Sequence, residues 1–154
     1  MLKFDVADNR FNFRSVAVII HQQHVLVHKA LSDDFWSLPG GRVEFFEHSD
    51  DTLTREIEEE LGLQSNVLRH LWYVESFFQY ADKNYHEIGN YFLVELTTPE
   101  VLPKGQHFKG IEERDNLIFQ WLPLAQLAET NIKPAFLKTG LLNLPTSVEF
   151  IKSK

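Results

Sequence analysis

The chain has 154 residues, 44% of them hydrophobic, which suits one domain spanning residues 1–154 with a buried core. Its 15 basic and 22 acidic residues give a net charge of −7, which disfavours generic nucleic-acid binding but permits a small phosphate compound held through metal ions. The absence of cysteine excludes disulfides and thiolate chemistry. No apolar run approaches the roughly 20 residues of a membrane-spanning helix. Asp5 and Asp8 lie where a secretory signal is apolar, so we expect a cytoplasmic protein that does not enter membranes.

The first third of the chain predicts a hairpin followed by a loop. Residues 14–20 and 25–28 are β-branched or apolar runs that predict two strands, joined by the polar residues 21–24. The sequence Pro39-Gly40-Gly41 then predicts the start of a loop, because paired glycines permit backbone angles that other residues resist.

A helix and a second hairpin are predicted next. Ser49 is the candidate N-cap, acidic residues follow it in the first turn, and Gly62 supplies the stop. Residues 67–78 and 90–96 are rich in aromatic and β-branched types, and they predict paired strands. Alternation places three apolar side chains of the second strand on one face: Phe92, Val94 and Leu96.

The last third of the chain predicts a long loop, one strand and two short helices. Residues 97–116 hold two prolines and two glycines with little periodicity, and a loop of that length in a compact domain is often functional. Residues 119–122 predict a strand. Pro123 is expected to open a helix through Glu129, and Pro134 another through Leu142. The sum is a mixed α/β chain with more strand than helix.

The predicted helix at residues 49–61 carries its carboxylates in an unusual arrangement. At about 100° per residue, Leu53, Ile57 and Leu61 form a buried stripe. Glu56, Glu59 and Glu60 line up beside that stripe, and they repel one another near the negative end of the helix dipole. A bound Mg²⁺ or Mn²⁺ would remove this strain. The helix alone is equally consistent with a solvated acidic face.

The residues flanking this helix distinguish the two interpretations. Gly41 is followed after five residues by Glu47, and after seven more by Arg55-Glu56-Ile57, one residue, Glu59-Glu60, one residue, and Gly62-Leu63. Residues 41–63 thereby resemble the signature of the Nudix hydrolase (MutT-like) superfamily. Seven positions demand one residue type, and at about 7% usage each a chance match occurs on the order of 10⁻⁸ times per starting point. Phe46 departs from the pattern, since many relatives have glycine there.

The resemblance implies a fold and a class of reaction. The fold would be a Nudix α/β/α sandwich, with a mixed β-sheet between helices. The reaction would be metal-dependent hydrolysis of a nucleoside diphosphate linked to another moiety, such as a dNTP, ADP-ribose or a nucleotide sugar, with Mg²⁺ or Mn²⁺ as cofactor. The alternative is a Nudix-fold module that senses a nucleotide without cleaving it. In either case the partner is a small nucleotide, and a homodimer stays possible.

The resemblance also assigns roles by position. Glu59 and Glu60 would be principal metal ligands, Glu56 a ligand or base, and Glu47 a direct or indirect metal partner. Arg55, four residues before Glu59, would orient carboxylates, and the Gly41 carbonyl would complete the metal site. In this family the base sometimes comes from a later loop, and Glu112 and Glu113 are candidates, although a solvated charge pair is the more common explanation for such residues. Glu87, on or near a predicted strand, is a further candidate of lower rank.

Three aromatic residues are candidates for stacking on a nucleobase. Phe35, Tyr80 and Phe108 lie in or near predicted loops and strand ends, and each is also explained by ordinary core or rim packing. The sequence therefore identifies a metal-binding helix more sharply than it identifies the substrate.

Overall fold

The computed structural model describes residues 1–112 and 116–154. Within these ranges the strands are β1 (Lys3–Val6), β2 (Asn9–His21), β3 (His24–Ala30), β4 (Gly40–Arg42), β5 (Ser65–Tyr80), β6 (Lys83–Leu96), β7 (Phe108–Lys109), β8 (Leu117–Pro123) and β9 (Glu149–Ser153). The α-helices are α1 (Ser49–Leu61) and α2 (Leu137–Gly140). Pro99–Val101 and Leu124–Glu129 are 3₁₀-helices.

The described strands form one mixed sheet around β2. Its main order is β7-β8-β3-β2-β6-β5-β9, and both β1 and β4 pair with β2 outside that order. The pairs β2–β6 and β5–β9 are parallel, whereas the other pairs are antiparallel. This long central strand therefore connects both halves of the sheet.

Both predicted hairpins are confirmed, and each has a two-residue turn. Gln22 and Gln23 have φ of 49° and 64°, and Ala81 and Asp82 have the same values. Two positive φ values in succession match the right-handed twist of the flanking strands. The second hairpin is longer than the sequence predicted, because β5 and β6 stay paired from Ser65 opposite Leu96 to Tyr80 opposite Lys83.

Helices cover both faces of the sheet, which makes the fold an α/β/α sandwich as expected. On one face, α1 buries Leu53 and Ile57 against a cluster that includes Phe92, Val94 and Leu96. The opposite face packs against residues from the 3₁₀-helix and α2: Leu127, Leu137 and Leu141. Burial of these side chains from both sides stabilises the sheet through the hydrophobic effect.

A gap between β2 and β3 positions the candidate site. The two strands pair only at Ile20–Val25 and His21–His24 before they diverge. The chain that follows Trp36 fills the gap, since Ser37 and His28 exchange two backbone hydrogen bonds of 2.9 Å and β4 pairs with β2. Gly40 and Gly41 thus belong to a short strand, and the expectation of a loop start at Pro39-Gly40-Gly41 was wrong. Strand β2 supplies hydrogen-bond partners for these glycines, and local turn propensity cannot predict such partners.

Helix boundaries also differ from the predictions. The N-cap of α1 is His48 and not Ser49, which is already helical and whose Oγ accepts a hydrogen bond from Asn90 Nδ2 at 3.0 Å. The helix predicted over 134–142 is shorter, and the one predicted after Pro123 is a 3₁₀-helix. Strands β1, β7 and β9 were not predicted. In the described ranges, no helix is long and apolar enough to cross a membrane.

Candidate active site

The acidic face of α1 lies beside its buried stripe, as the spacing predicts. Leu53 and Ile57 are 0% and 2% exposed, and Gly62 ends the helix with a left-handed φ of 68° while its N–H donates to Glu58 O. Glu60 is only 7% exposed, which places its side chain at the apolar edge. Glu59 is about half exposed. The helix therefore presents one carboxylate to solvent and withdraws another toward the core.

Arg55 binds three of the predicted carboxylates together. Its Nε and Nη2 donate to Glu47 at 2.8 and 3.0 Å, and its Nη1 donates to Glu56 at 2.8 Å and to Glu59 at 3.3 Å. Its Nη2 also lies 3.4 Å from the carbonyl of Arg42. The guanidinium thus links the helix to β4 and contacts three carboxylates, while its role in orienting them for a metal stays a prediction.

Glu47 closes the loop that leads into α1. Besides Arg55, its carboxylate accepts hydrogen bonds from Thr52 Oγ1 at 2.7 Å and from the backbone N–H of Glu44 at 3.1 Å. The hydrogen bond from Arg55 is the main cause that lowers the pKa of Glu47 to about 2. Both oxygens of this carboxylate are engaged, so in this arrangement it holds the loop and Arg55 in place.

Glu56 lies directly against Gly41. A Cβ added at Gly41 would fall 2.2 Å from Glu56 Cδ, so the backbone of β4 touches this carboxyl group. Burial raises the pKa of Glu56 above its usual value, and the charges of Glu59 and Glu112 raise it further, while Arg55 opposes the shift. A carboxylate with a raised pKa is a better proton acceptor than an ordinary one.

The long loop returns to the C-terminal end of α1. The N–H of Ile111 donates to Glu60 O at 2.7 Å, and Gly110 packs so closely that a Cβ there would lie 2.7 Å from the same oxygen. This contact brings Glu112 near enough for its charge to act on Glu56. The structure therefore places Glu112 with the helix carboxylates, whereas Glu113 lies outside the described residues.

The donor set suits a hard divalent cation. Glu59 and Glu112 both repel Glu56 in a partly buried setting, and the backbone of Gly41 lies against the Glu56 side chain. Oxygen ligands of this kind are those that Mg²⁺ and Mn²⁺ prefer. Among the described residues no three acidic or histidine side chains already converge on one point. Arg55 supplies the positive charge between the carboxylates in this state.

Two of the three aromatic candidates lie together. The rings of Phe35 and Tyr80 are 6.1 Å apart and edge to face, and Lys133 Nζ lies 4.8 Å above the Phe35 ring. The Tyr80 hydroxyl donates to Asp33 at 3.0 Å. Phe108 is elsewhere, stacked on Phe119 at 5.8 Å beneath α1.

Sequence reasoning named Glu87 as a candidate base but missed the polar cluster around it, beside β4. Asn12 is 2% exposed, accepts a hydrogen bond from Arg42 Nε at 2.5 Å and donates to Glu87 Oε1 at 2.6 Å. Arg14 donates to Leu38 O at 3.0 Å. The detectable signal was the alternation on β2, in which Asn12 and Arg14 occupy positions that continue the buried face of Val16 and Val18.

Residues 12–139 match the family model of the NUDIX domain. The chain belongs to the NUDIX family. It is 35% identical over 74 residues to an RNA pyrophosphohydrolase from Ruthia magnifica, and that match covers 47% of this chain and 41% of the relative. The chain spans less than half the length of the curated relatives it matches.

Solved NUDIX structures share this fold. A mutator MutT protein from Bacillus halodurans aligns with a TM-score of 0.63 at 15% identity, covering 90% of this chain and 86% of that one. An ADP-ribose pyrophosphatase from Streptococcus suis aligns with a TM-score of 0.58 at 16% identity, covering 92% and 98%. At these identities the structural matches establish the α/β/α architecture and leave the substrate open.

Proposed function

We propose that this protein is a metal-dependent pyrophosphohydrolase that cleaves a nucleoside diphosphate linked to another moiety. The observation that carries the proposal is the contact of the Gly41 backbone with Glu56, whose carboxyl group is also acted on by the charges of Glu59 and Glu112. The NUDIX match supports the same class of reaction.

Mg²⁺ or Mn²⁺ would be held by carboxylates of Glu56, Glu59 and Glu60 with the Gly41 carbonyl. Such an ion neutralises phosphate charge and lowers the pKa of an attacking water. Glu47 and Arg55 fix the orientation of these side chains through their mutual hydrogen bonds. The metal-binding residues and their roles are those that the family resemblance implies, and the contacts of Glu56 with Gly41 and Arg55 support them.

A carboxylate must accept the proton of the attacking water. Glu56 fits this role because burial raises its pKa, and Glu112 is the second candidate because its charge acts at the same place. The water oxygen forms the new bond to phosphorus, the phosphoanhydride oxygen leaves with the bond electrons, and two phosphate-bearing products result.

Phe35 and Tyr80 are proposed to contact the ring of the nucleotide. Both rings are partly exposed, and Lys133 and Asp33 contact them. Phe108 is not proposed for this role because its ring is stacked in the core on the α1 side.

A substrate panel tests the proposal. dNTPs, ADP-ribose, nucleotide sugars and dinucleoside polyphosphates would each be incubated with Mg²⁺, with Mn²⁺ and with chelator, and product release measured. Cleavage that requires metal supports the proposal. Nucleotide binding without any cleavage would overturn it in favour of a sensing module.

A further inference from the structure

Helix α1 covers only part of its side of the sheet, here called the α1 side. Ser15 Oγ donates to Ser49 O at 2.6 Å, and Asn90 Nδ2 donates to Ser49 Oγ at 3.0 Å, so the helix begins above these residues of β2 and β6. Its buried side chains then pack in one direction, against Ala17 and Val94. In the other direction, toward the β5–β6 turn, the helix leaves β1, β2, β5 and β6 uncovered.

Aromatic rings form a row across these uncovered strands. The register pairs neighbouring strands in the order Phe4, Phe11, His86 and Phe77. Successive ring centroids are 5.1, 6.0 and 4.6 Å apart. Side chains alternate along a strand, so His86 shares a face with Asn90 and the row lies on the α1 side. Phe4 and Phe77, at the two ends of the row, are 58% and 47% exposed.

A ladder of side-chain amides runs beside the aromatic row. Gln79 Nε2 donates to Asn84 Oδ1 at 3.0 Å, and Asn84 Nδ2 donates to Asn9 Oδ1 at 3.3 Å. Each amide lies two positions from a ring of the row, so the ladder is on the same face. Val6, which is 64% exposed, continues the ladder opposite Asn9. Neither the row nor the ladder contains an acidic residue, a lysine or an arginine.

The opposite face of the same strands is charged. Arg10 donates to Asp5 at 2.7 and 3.0 Å and lies over the ring of Tyr85, which stacks on Phe78 at 4.9 Å. A partner that covered this face would have to desolvate the ion pair. The uncharged α1 side is therefore the more favourable of the two faces for a protein contact.

We infer that this uncharged face binds the same face of a second copy of the chain, which forms a two-fold symmetric homodimer. A chain with a net charge of −7 repels its own copies, and the repulsion is weakest where neither surface is charged. A two-fold contact needs a surface that complements itself. Aromatic rings and amides meet that condition, because rings stack on rings and amides both donate and accept hydrogen bonds.

The chemistry of the face disfavours a nucleic acid as its occupant. A nucleic acid would find no lysine or arginine in the row or the ladder to neutralise its phosphates. Bases can stack on aromatic residues of a sheet, but that contact ordinarily accompanies a positively charged surface. A second copy of this acidic chain requires no such charge.

The size of the face indicates a weak dimer. Phe13 and Ile88 extend the face toward α1 and are partly buried. Four strands about 4.8 Å apart and three rows about 7 Å apart give roughly 500 Å² of accessible surface for each copy, with the relief of the side chains included. Two copies would bury about 1,000 Å², which is the lower limit of a specific interface. We therefore expect reversible association that depends on protein concentration.

Sedimentation velocity between about 1 and 200 µM protein tests the inference, and the wild type should shift from monomer to dimer in this range. Phe77→Gln should weaken the dimer at least about 10-fold, as expected for loss of an aromatic contact in an interface. Phe78→Gln is the matched control, because Phe78 is the next residue of β5, is 40% exposed and lies on the opposite face. The control should dimerise like the wild type.

Salt and a second variant complete the test. Phe4→Gln changes the other end of the row and replaces Phe77→Gln if that variant does not fold. Raising NaCl from about 50 to 500 mM should strengthen the dimer, because salt screens the repulsion between two acidic chains. Because no substrate is needed, the result is independent of the proposed hydrolysis.

Four results would overturn the inference. The wild type could stay monomeric at every concentration, including the case in which the monomer binds single-stranded RNA through Phe77. The dimer could be unchanged by Phe77→Gln, or weakened equally by Phe77→Gln and Phe78→Gln. Finally, the dimer could dissociate as salt is added, which would indicate an interface built on ion pairs.

Discussion

The backbone of Gly41 and the carboxyl group of Glu56 are in direct contact, with no room for a methyl group between them. Gly41→Ala should push the Glu56 carboxylate aside, since the far end of that side chain can rotate. We expect the fold to persist and metal-dependent turnover to fall by about 10- to 100-fold. Turnover as a function of Mn²⁺ concentration, measured with thermal unfolding, checks this.

Gly105→Ala serves as the control for that substitution. Gly105 has a φ of +77° and nothing within 4 Å of the added Cβ, so alanine there costs about 1 kcal/mol of backbone strain without touching α1. It should lower stability and keep turnover. Wild-type turnover by Gly41→Ala would contradict the close contact.

Glu58 and Glu59 are adjacent carboxylates with different surroundings. Glu59 lies 3.3 Å from Arg55 on the candidate metal face, whereas Glu58 is exposed and its carbonyl closes the end of α1. Glu59→Gln should lower metal-dependent kcat by at least about 10- to 100-fold, and Glu58→Gln should leave it unchanged. Both variants lose one charge from one helix, so equal kinetics would refute the metal role of Glu59.

His28 should make the protein less stable in mild acid. Burial, followed by the charge of Arg14, lowers the pKa of His28 to about 3, and its Nδ1 has no hydrogen-bond partner among the described residues. Below pH 6.5 the unfolded chain binds a proton that the folded chain does not, so stability falls as the pH drops from about 6.5 toward 3.

The slope reaches at most about 1.4 kcal/mol per pH unit for this one group. His28→Phe keeps an aromatic ring beside Phe119, whose centroid lies 5.5 Å from the imidazole, and removes the titration. Denaturant unfolding between pH 4.5 and 7 should therefore show a shallower pH dependence for the variant. An unchanged slope would mean that His28 is not the group responsible.

Phe46 occupies a position that favours glycine. Its φ is +65°, its ring is fully exposed, and the turn closes through a 3.2 Å hydrogen bond from Glu47 N–H to Glu44 O. Phe46→Gly should relieve left-handed strain and gain about 0.5–1 kcal/mol after the entropy cost of glycine. Phe45→Gly lacks that relief and should lose about 0.5–1 kcal/mol in the same thermal unfolding experiment. Destabilisation by both changes would contradict this explanation.

Local sequence patterns predicted the elements whose causes are local. The apolar spacing of Leu53 and Ile57, together with Gly62, predicted α1 to within one turn, and runs of β-branched, apolar and aromatic residues predicted the two hairpins. The N-cap was assigned wrongly, since it is His48, and the Ser49 hydroxyl is engaged by Asn90, 41 residues away. Strand β4 was missed because its hydrogen bonds come from β2.

In the candidate site, too, contacts within one helix could be predicted from the sequence, whereas contacts between distant segments could not. The spacing of Arg55 and Glu59 predicts their ion pair, because residues four apart lie on one helix face. The contact of Gly41 with Glu56 and the approach of Glu112 depend on how two separate loops fold back onto the helix. Likewise, Arg14 and Arg42 lie opposite each other on strands that are distant in sequence, so local spacing cannot predict that they are neighbours.

Arg55 should allow the chain to fold before it binds a metal ion. A helix with clustered carboxylates would ordinarily be unstable until a cation arrived, as in small domains that unfold when their metal is chelated. Here the guanidinium of Arg55 already offsets part of the repulsion among Glu47, Glu56 and Glu59. We therefore expect the apoprotein to stay folded, so that chelation stops the proposed hydrolysis without unfolding the protein and added metal restores it.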